Sequence, residues 1–309
     1  MRRPARHRAA AALRFVLLAG LGMGIGWAAG SVVAQEADAA GHGEVLFKTS
    51  GCANCHTDAR GGGRPLAGGL ALATPFGTFY APNITPDAEH GIGSWSDADF
   101  VRAMRDGVAP DGSHYYPAFP YTSYTRMSDE DMLAIKRHIF AMEPVAEPSR
   151  PHDLSFPFSQ RWLMSVWKYL HFDPGPFVPD TARSDAWNRG AYLVEAVAHC
   201  GECHTPRGRL GGLDRSRWLA GTVDGPEGER VPNITPDRET GIGTWPAADI
   251  AFLLDIGMTP DGDVVGGSMY PVVDDGTAAL SAEDRAAIAE YLLSLPPIAN
   301  PDAPATRAE

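Results

Sequence analysis

The chain has 309 residues, which is enough for about two domains, and its 26 basic and 38 acidic side chains give a formal net charge of −12. So acidic a chain is a poor ligand for nucleic acid or for an anionic membrane face, because like charges repel. It favours docking to basic patches on another protein, although acidity also serves solubility.

The first 34 residues have the layout of a secretory signal. Five arginines and no acid precede or enter an uncharged apolar run, Phe15–Gly30, and Val32-Val33-Ala34 provides small residues for cleavage before Gln35. We therefore expect a signal peptide over residues 1–34 and a periplasmic protein. The alternative is a retained membrane anchor, for which the apolar run is short against a span of about 20 residues. Cleavage would lower Lys+Arg from 26 to 21 against 38 acids, a net charge of −17.

One five-residue pattern occurs twice and holds all four cysteines: Cys52-Ala-Asn-Cys55-His56 and Cys200-Gly-Glu-Cys203-His204. A C-x-x-C-H sequence is a c-type haem attachment site. The two thiols can each add to one vinyl group of the same porphyrin, and the adjacent histidine can bind the iron. The sequence therefore predicts two covalently bound haem c groups, with His56 and His204 as proximal iron ligands.

Two other uses of these cysteines are weaker. A four-cysteine zinc site usually has its pairs about 15–20 residues apart, whereas 144 residues separate Cys55 from Cys200. A redox-active dithiol needs a single pair and has no use for the histidine that follows each motif. Haem attachment explains both the histidines and the duplication.

The sequence around each haem motif forms one copy of a longer repeat. The first copy, residues 41–147, is predicted to be helical. A helix at Glu44–Ser50 delivers the first cysteine, Asp97–Arg105 forms a short amphipathic helix, and Ser128 caps a closing helix, Asp129–Ala141. Between them we expect loops rich in glycine and proline, without strand alternation.

The axial position opposite His56 is unusual. In a class I cytochrome c this sixth ligand is usually a methionine before the closing helix, but Phe119 occupies the matching place and cannot bind iron. Three alternatives remain: ligation by His114, ligation by Met127, or an open iron behind Phe119. Met127 directly precedes the cap and is better suited to a hydrophobic staple, so the open site is preferred narrowly.

Residues 148–185 form an aromatic-rich connecting strap. Seven aromatic residues lie in Phe156–Phe177, around a predicted helix at Gln160–Leu170. We expect this segment to pack against both domains and fix their relative position. The alternative is an aromatic face for a partner subunit or for the membrane interface.

The second copy, residues 186–299, repeats the first and precedes a tail, 300–309. Pro82–Asp87 recurs as Pro232–Asp237, and Gly91–Trp95 recurs as Gly241–Trp245. Three helices are again predicted, the last capped by Ser281: Trp187–Ala198, Ala247–Asp255 and Ala282–Leu293. The predicted fold is mostly α, two tandem class I cytochrome c domains with Gly/Pro-rich loops.

Met269 is the predicted sixth ligand in the second copy. It lies in the glycine-flanked loop Gly266-Gly267-Ser268-Met269, twelve residues before the capping Ser281. A thioether opposite imidazole raises the reduction potential and closes the iron to other ligands. Arg207 and Arg209 follow the second haem motif in the sequence, and they are candidates to pair with a haem propionate.

The chain resembles the multihaem cytochrome c subunits of periplasmic alcohol, gluconate and aldehyde dehydrogenases. The resemblance covers nearly all of the chain after residue 34. Besides the two haem motifs, it rests on segments spread along the chain: Thr74-Pro75-Phe76-Gly77, Asn83-Ile84-Thr85-Pro86-Asp87, Tyr116-Pro117-Ala118-Phe119-Pro120-Tyr121, Phe156-Pro157-Phe158 and Trp187-Asn188-Arg189-Gly190. Well-known members carry three haem motifs where this chain has two, and methionine is expected where Phe119 stands.

This resemblance implies a relay of single electrons. A catalytic dehydrogenase subunit would reduce one haem, and the electron would leave for a quinone, an oxidase or a soluble cytochrome, with peripheral membrane association left open. The alternative is a dihaem enzyme of the peroxidase kind that uses an open iron at the first haem. Only Phe119 favours that alternative, because little acid–base equipment surrounds it apart from His114.

Overall fold

A computed structural model describes residues 41–225 and 228–304 of the chain. The predicted signal peptide and the last five residues of the predicted tail lie outside the described residues. The described part is mostly helical, as predicted. Its helices are α1 (41–49), α2 (Cys52–His56), α3 (Asp97–Asp106), α4 (Tyr121–Tyr124), α5 (Asp129–Phe140), α6 (Leu163–His171), α7 (Asp185–Tyr192), α8 (Gly201–His204), α9 (Ala247–Ile256), α10 (Met269–Asp274) and α11 (Ala282–Ser294).

Each half of the chain packs its first helix against its closing helix at a glycine. A Cβ atom on Gly43 of α1 would lie 2.5 Å from the carbonyl oxygen of Ala134 in α5. A Cβ atom on Gly190 of α7 would lie 2.0 Å from the carbonyl oxygen of Ala287 in α11. The missing side chains let the two helix backbones touch, so the cysteine-bearing turn that follows each first helix is anchored to the end of its own domain.

The predicted caps of the closing helices are present. The Ser128 hydroxyl accepts a hydrogen bond from the Asp131 amide at 3.1 Å, and the Ser281 hydroxyl accepts one from the Asp284 amide at 3.1 Å. Arg189 adds a two-pronged ion pair to Asp284, with both N–O distances at 2.8 Å. This pair ties α7 to the first turn of α11.

The expectation that the loops lack strands is wrong. Ala71–Thr74 (β1) and Gly77–Tyr80 (β2) form an antiparallel hairpin, and Asp153–Leu154 (β3) adds to its edge beside β2. Four-residue strands are too short to show a clear alternation, and the third strand comes from the strap far along the chain. Gly77 is needed here, because its φ is 123° and a Cβ atom would lie 2.4 Å from the Asp153 carbonyl oxygen.

The strap contacts both copies of the repeat through α6. The Lys168 ammonium donates to the carbonyls of Asp106 and Gly107 in the first copy, at 2.6 and 2.8 Å. The Trp167 indole donates to the Leu210 carbonyl in the second copy at 2.7 Å. The outer face of the same helix remains exposed, since Tyr169 is 88% accessible. The inner face therefore packs as predicted.

A single apolar core runs through both halves. It contains Leu46 and Ile135 from the first copy and Val194 and Ile288 from the second, all of them buried. A smaller aromatic cluster joins Tyr116 and Tyr121 to the strap. None of the helices in the described ranges is long and apolar enough to cross a membrane.

Candidate haem sites

The first haem motif forms a single helical turn, α2, that begins after Gly51 in the left-handed conformation (φ 64°). The His56 ring places Nδ1 2.7 Å from the carbonyl oxygen of Pro82. Because a carbonyl can only accept, Nδ1 carries the proton and donates, which leaves the lone pair on Nε2. This is the arrangement that a metal-binding histidine needs.

The second motif repeats this geometry. Its histidine closes α8, and the Nδ1 atom of His204 lies 2.8 Å from the carbonyl oxygen of Pro232. Burial, the largest effect, lowers the pKa of both His56 and His204, although these carbonyl contacts oppose it. Both imidazoles are therefore neutral ligands with a free Nε2 at neutral pH.

The duplicated Pro-Asn-Ile-Thr sequence holds the two carbonyls in place. Asn83 accepts from the Thr85 amide at 2.8 Å and donates to the Val145 carbonyl at 2.7 Å. In the second copy Asn233 accepts from the Thr235 amide at 2.9 Å and donates to the Ile298 carbonyl at 2.7 Å. The sequence analysis did not predict that the carbonyls of Pro82 and Pro232 orient the histidines. The recurrence of both prolines at the same offset as the rest of the repeat was the feature that could have indicated it.

The thiols lack the lowered pKa of a reactive dithiol. Burial, the largest cause, raises the pKa of Cys52 and of Cys200 to about 12. Reactive dithiols depend on a lowered pKa. Among residues 41–225 and 228–304, no group of three or more His, Cys, Asp or Glu side chains is placed to hold a metal ion.

The two cysteine pairs lie close to each other across the domain boundary. Burial is the largest cause that raises the pKa of Cys203, to about 11, and Glu202 and Cys55 of the other motif add to it. The sites are thus near enough for a charge in one to be felt in the other.

Met269 begins the short helix α10 and is half-buried. Glu229 anchors the loop before it, because its carboxylate accepts a hydrogen bond from the Ser268 amide at 3.1 Å. Its role as the sixth ligand of haem 2, the group at Cys200–His204, stays a prediction.

Phe119 is surrounded by aromatic rings in the matching loop of the first copy. Its ring makes edge-to-face contacts with Tyr115, Tyr121 and Tyr124, with centroids 5.6, 6.4 and 5.7 Å away. Met127 is completely enclosed by protein atoms and shares the core with Met132, as the staple interpretation expects. The His114 Nδ1 atom lies 3.0 Å from the Lys168 ammonium and accepts from it.

The guanidinium of Arg207 already has partners within the protein. It forms an ion pair with the buried Glu202 and also donates to the Gly211 carbonyl at 2.7 Å. Burial alone would raise the pKa of Glu202, but Arg207 and the Thr122 hydroxyl hold that pKa below its usual value. The carboxylate is therefore ionised. The expected pairing of Arg207 with a propionate competes with this contact.

A family model described as Cytochrome c matches residues 40–142 and 188–296. The chain belongs to the cytochrome c family. Each matched region contains one haem motif. In each motif the two thiols, and the imidazole whose proton is held on Nδ1, are the groups that haem c requires. This cytochrome therefore carries two covalently bound haem c groups, as predicted, in two cytochrome c domains.

The chain is similar to three characterised kinds of cytochrome protein. A diheme cytochrome c-type protein of Cereibacter sphaeroides is 48% identical over 263 residues, 84% of this chain and 86% of the relative. The fructose dehydrogenase cytochrome subunit of Gluconobacter japonicus is 41% identical over 82% of this chain. The gluconate 2-dehydrogenase cytochrome c subunit of Pantoea cypripedii is 39% identical over 82% of this chain.

These relatives differ in length. This cytochrome spans 52% of the fructose dehydrogenase protein and 58% of the gluconate 2-dehydrogenase protein. The predicted resemblance to dehydrogenase cytochrome subunits is confirmed. The names of these relatives give the peroxidase-like alternative no support.

Proposed function

We propose that this dihaem cytochrome accepts single electrons from a catalytic dehydrogenase subunit and passes them to a quinone, an oxidase or a soluble cytochrome. The observation that carries the proposal is that two haem c attachment motifs, each with its histidine oriented by a proline carbonyl, share one core and each contact the other domain. A haem, when bound, supplies a one-electron iron couple. Two such sites in contact suit passage of electrons through the chain.

The residues of this chain contribute ligation, orientation and exclusion of water. His56 and His204 present Nε2 to the iron while Pro82 and Pro232 hold the proton on the opposite nitrogen. The thiols fix each porphyrin covalently. The surrounding apolar core lowers the dielectric constant, which is one of the factors that set a haem potential.

Isolation from the native host with a chromosomal affinity tag would test the donor. We expect a catalytic subunit to remain bound, and its substrate to reduce both haems of the isolated complex. A chain that purifies alone, and whose ferrous haems are rapidly oxidised by hydrogen peroxide in catalytic turnover with an artificial donor, would contradict the relay and support the enzyme.

We further propose export to the periplasm, on the basis of the arginine-rich start and the apolar run Phe15–Gly30. Cell fractionation should find the holoprotein outside the cytoplasm, and sequencing of its first residue should give Gln35. Recovery with the membrane that is lost on washing at alkaline pH would support peripheral association. An intact start at Met1 would instead indicate a retained anchor.

A further inference from the structure

The third residue of each haem motif reaches into the opposite domain. Asn54 donates from Nδ2 to the Pro271 carbonyl at 3.4 Å, and Pro271 follows Met269 by two positions. Glu202 occupies the same place in the second motif. Its carboxylate accepts from the Thr122 and Ser123 hydroxyls at 2.5 and 2.9 Å, three and four positions after Phe119. The two contacts are reciprocal, because each haem motif forms a hydrogen bond with the loop of the other domain that contains Phe119 or Met269.

Residues just before the motifs meet in the same interface. The His199 Nε2 atom lies 3.3 Å from the Ser50 carbonyl, which also accepts a hydrogen bond from the Tyr124 hydroxyl at 2.7 Å. The Tyr124 and His199 rings pack edge to face at 5.5 Å. The interface between the two haem motifs is therefore polar, buried and specific in geometry.

The two reciprocal positions differ in charge. Asn54 is a neutral amide, whereas Glu202, beside Cys203, is a carboxylate that forms an ion pair with Arg207, accepts hydrogen bonds from two hydroxyl groups and is only 9% exposed. A negative charge next to a haem stabilises the ferric form, which carries one more positive charge than the ferrous form. The effect is strong where water is excluded.

We propose that Asn54 and Glu202 form a reciprocal clasp that fixes the separation of the two haems, and that the Glu202 carboxylate, by offsetting the Arg207 guanidinium, holds haem 2 at a lower potential than a neutral side chain at position 202 would give. The transfer it serves is a single electron that leaves a ferrous iron at one site and reduces the ferric iron at the other. This inference rests on the proposed relay, in which the gap between the haems must be crossed on every turnover.

Three variants of the holo chain separate charge from contact. E202Q removes the charge and keeps the shape, and leaves Arg207 unopposed. The double variant T122V/S123A removes both hydroxyl donors and keeps the charge. N54A removes the reciprocal contact and changes no charge, so it is the matched control in the first motif. Spectroelectrochemical titration gives both midpoints, and photoreduction of the half-reduced protein gives the rate between haems.

In E202Q we expect the reduction equilibrium of haem 2 to shift at least tenfold toward the ferrous form, which for one electron is 59 mV. Haem 1 should shift less. N54A and T122V/S123A should leave haem 2 without such a rise but slow the exchange between haems severalfold. E202D, which restores the charge on a shorter side chain, should return the potential and not the rate.

Unchanged midpoints in E202Q would overturn the electrostatic part, and unchanged exchange rates in N54A and T122V/S123A would overturn the clasp. If E202Q fails to mature with two haems, R207Q, which removes the cation paired with Glu202 and keeps the carboxylate, should lower the midpoint of haem 2, and an unchanged midpoint there would overturn the electrostatic part. The rates of N54A and T122V/S123A still decide the clasp. All measurements use the isolated chain with chemical or photochemical reductants. Absence of a dehydrogenase partner would refute the proposed relay without altering these outcomes.

Discussion

At the residue scale, the haem sites depend on groups that do not touch iron. Pro82 and Pro232 provide carbonyl oxygens that hold the proton of each proximal imidazole on Nδ1. Proline has no amide proton to donate, so only its carbonyl can take part in such a contact. Asn83 and Asn233 fix the adjoining turns by hydrogen bonds, which keeps each proline carbonyl directed at its histidine ring. The two copies agree at this level and differ at Phe119 and Met269, where the aromatic cluster replaces a thioether.

Replacing Phe119 by methionine should close the iron of haem 1. In the unchanged, dithionite-reduced chain we expect about half of the haem to bind carbon monoxide, because phenylalanine offers no lone pair. F119M should abolish most of that binding and raise the potential of haem 1, since a thioether favours ferrous iron. Visible spectra before and after the gas is added give the bound fraction.

M269A is the matched control for that variant, because it should open haem 2 and make nearly all of the haem responsive. If the unchanged chain binds no carbon monoxide, haem 1 is already six-coordinate and the open-site prediction is wrong. H114A would then test the remaining loop ligand. Restored gas binding in H114A would assign the histidine.

The His199 ring predicts a pH dependence of stability. Burial, the largest effect, lowers the pKa of His199, although Glu202 and the Ser50 carbonyl partly oppose it. The unfolded chain titrates such a ring near pH ~6.5 and so takes up the proton first as the pH falls. The contribution to stability is therefore complete above that pH and is lost as the pH falls toward the folded pKa.

Chemical denaturation at several pH values between about 5 and 8 checks this effect. The free energy of unfolding of the holoprotein should decrease on acidification, and H199Q should show a smaller decrease. Glutamine can still donate to the Ser50 carbonyl, so the contact is kept while the titration is removed. Equal slopes in the two proteins would contradict the assignment.

At the element scale, the contact of α1 with α5 and of α7 with α11 positions each cysteine-bearing turn. Both crossings need glycine at the point of closest approach, Gly43 and Gly190. The helices themselves were predictable from spacing and caps, but their ends were not. The helix predicted over Trp187–Ala198 is α-helical only as far as Tyr192 and continues as a π-helical turn, Leu193–Val197. Helix α6 begins at Leu163 and not at the predicted Gln160.

An alanine at either crossing should destabilise its domain. In G43A and G190A the new methyl group meets a carbonyl oxygen, and overpacking of this kind typically costs about 1–3 kcal/mol. G41A is the control within the same helix as Gly43, because no described atom lies within 4 Å of its would-be Cβ. Thermal unfolding should show large decreases for the first two variants and none for G41A. A similar decrease in G41A would contradict the assignment to the crossings, because alanine has a higher helix propensity than glycine and should not destabilise an open helical position.

At the scale of the whole molecule, one apolar core and one polar interface join the two copies of the repeat. The strap adds contacts to both through Lys168 and Trp167. Outside these contacts the surface is acidic, with a formal charge of −12 for the full sequence. Such a surface should steer basic redox partners toward the protein.

Salt should slow electron exchange with a basic protein. With a basic mitochondrial cytochrome c as acceptor, the bimolecular rate measured by stopped flow should fall as ionic strength rises, because the Debye length shrinks from about 30 Å at 0.01 M to about 8 Å at 0.15 M. A neutral small-molecule oxidant is the control and should show little dependence. A flat profile with the basic protein would mean that acidity serves solubility only.

The sequence alone determined the cofactors, the duplication and the main helices of this protein. Those features depend on local spacing: thiols at i and i+3 with a following histidine, caps at Ser128 and Ser281, and a fixed offset between repeats. The proton-holding carbonyls, the β3 strand and the clasp of Asn54 and Glu202 were decided only by the tertiary structure. Each pairs residues 26 to 217 positions apart, and no local pattern states which distant groups will meet when two domains bury a common interface.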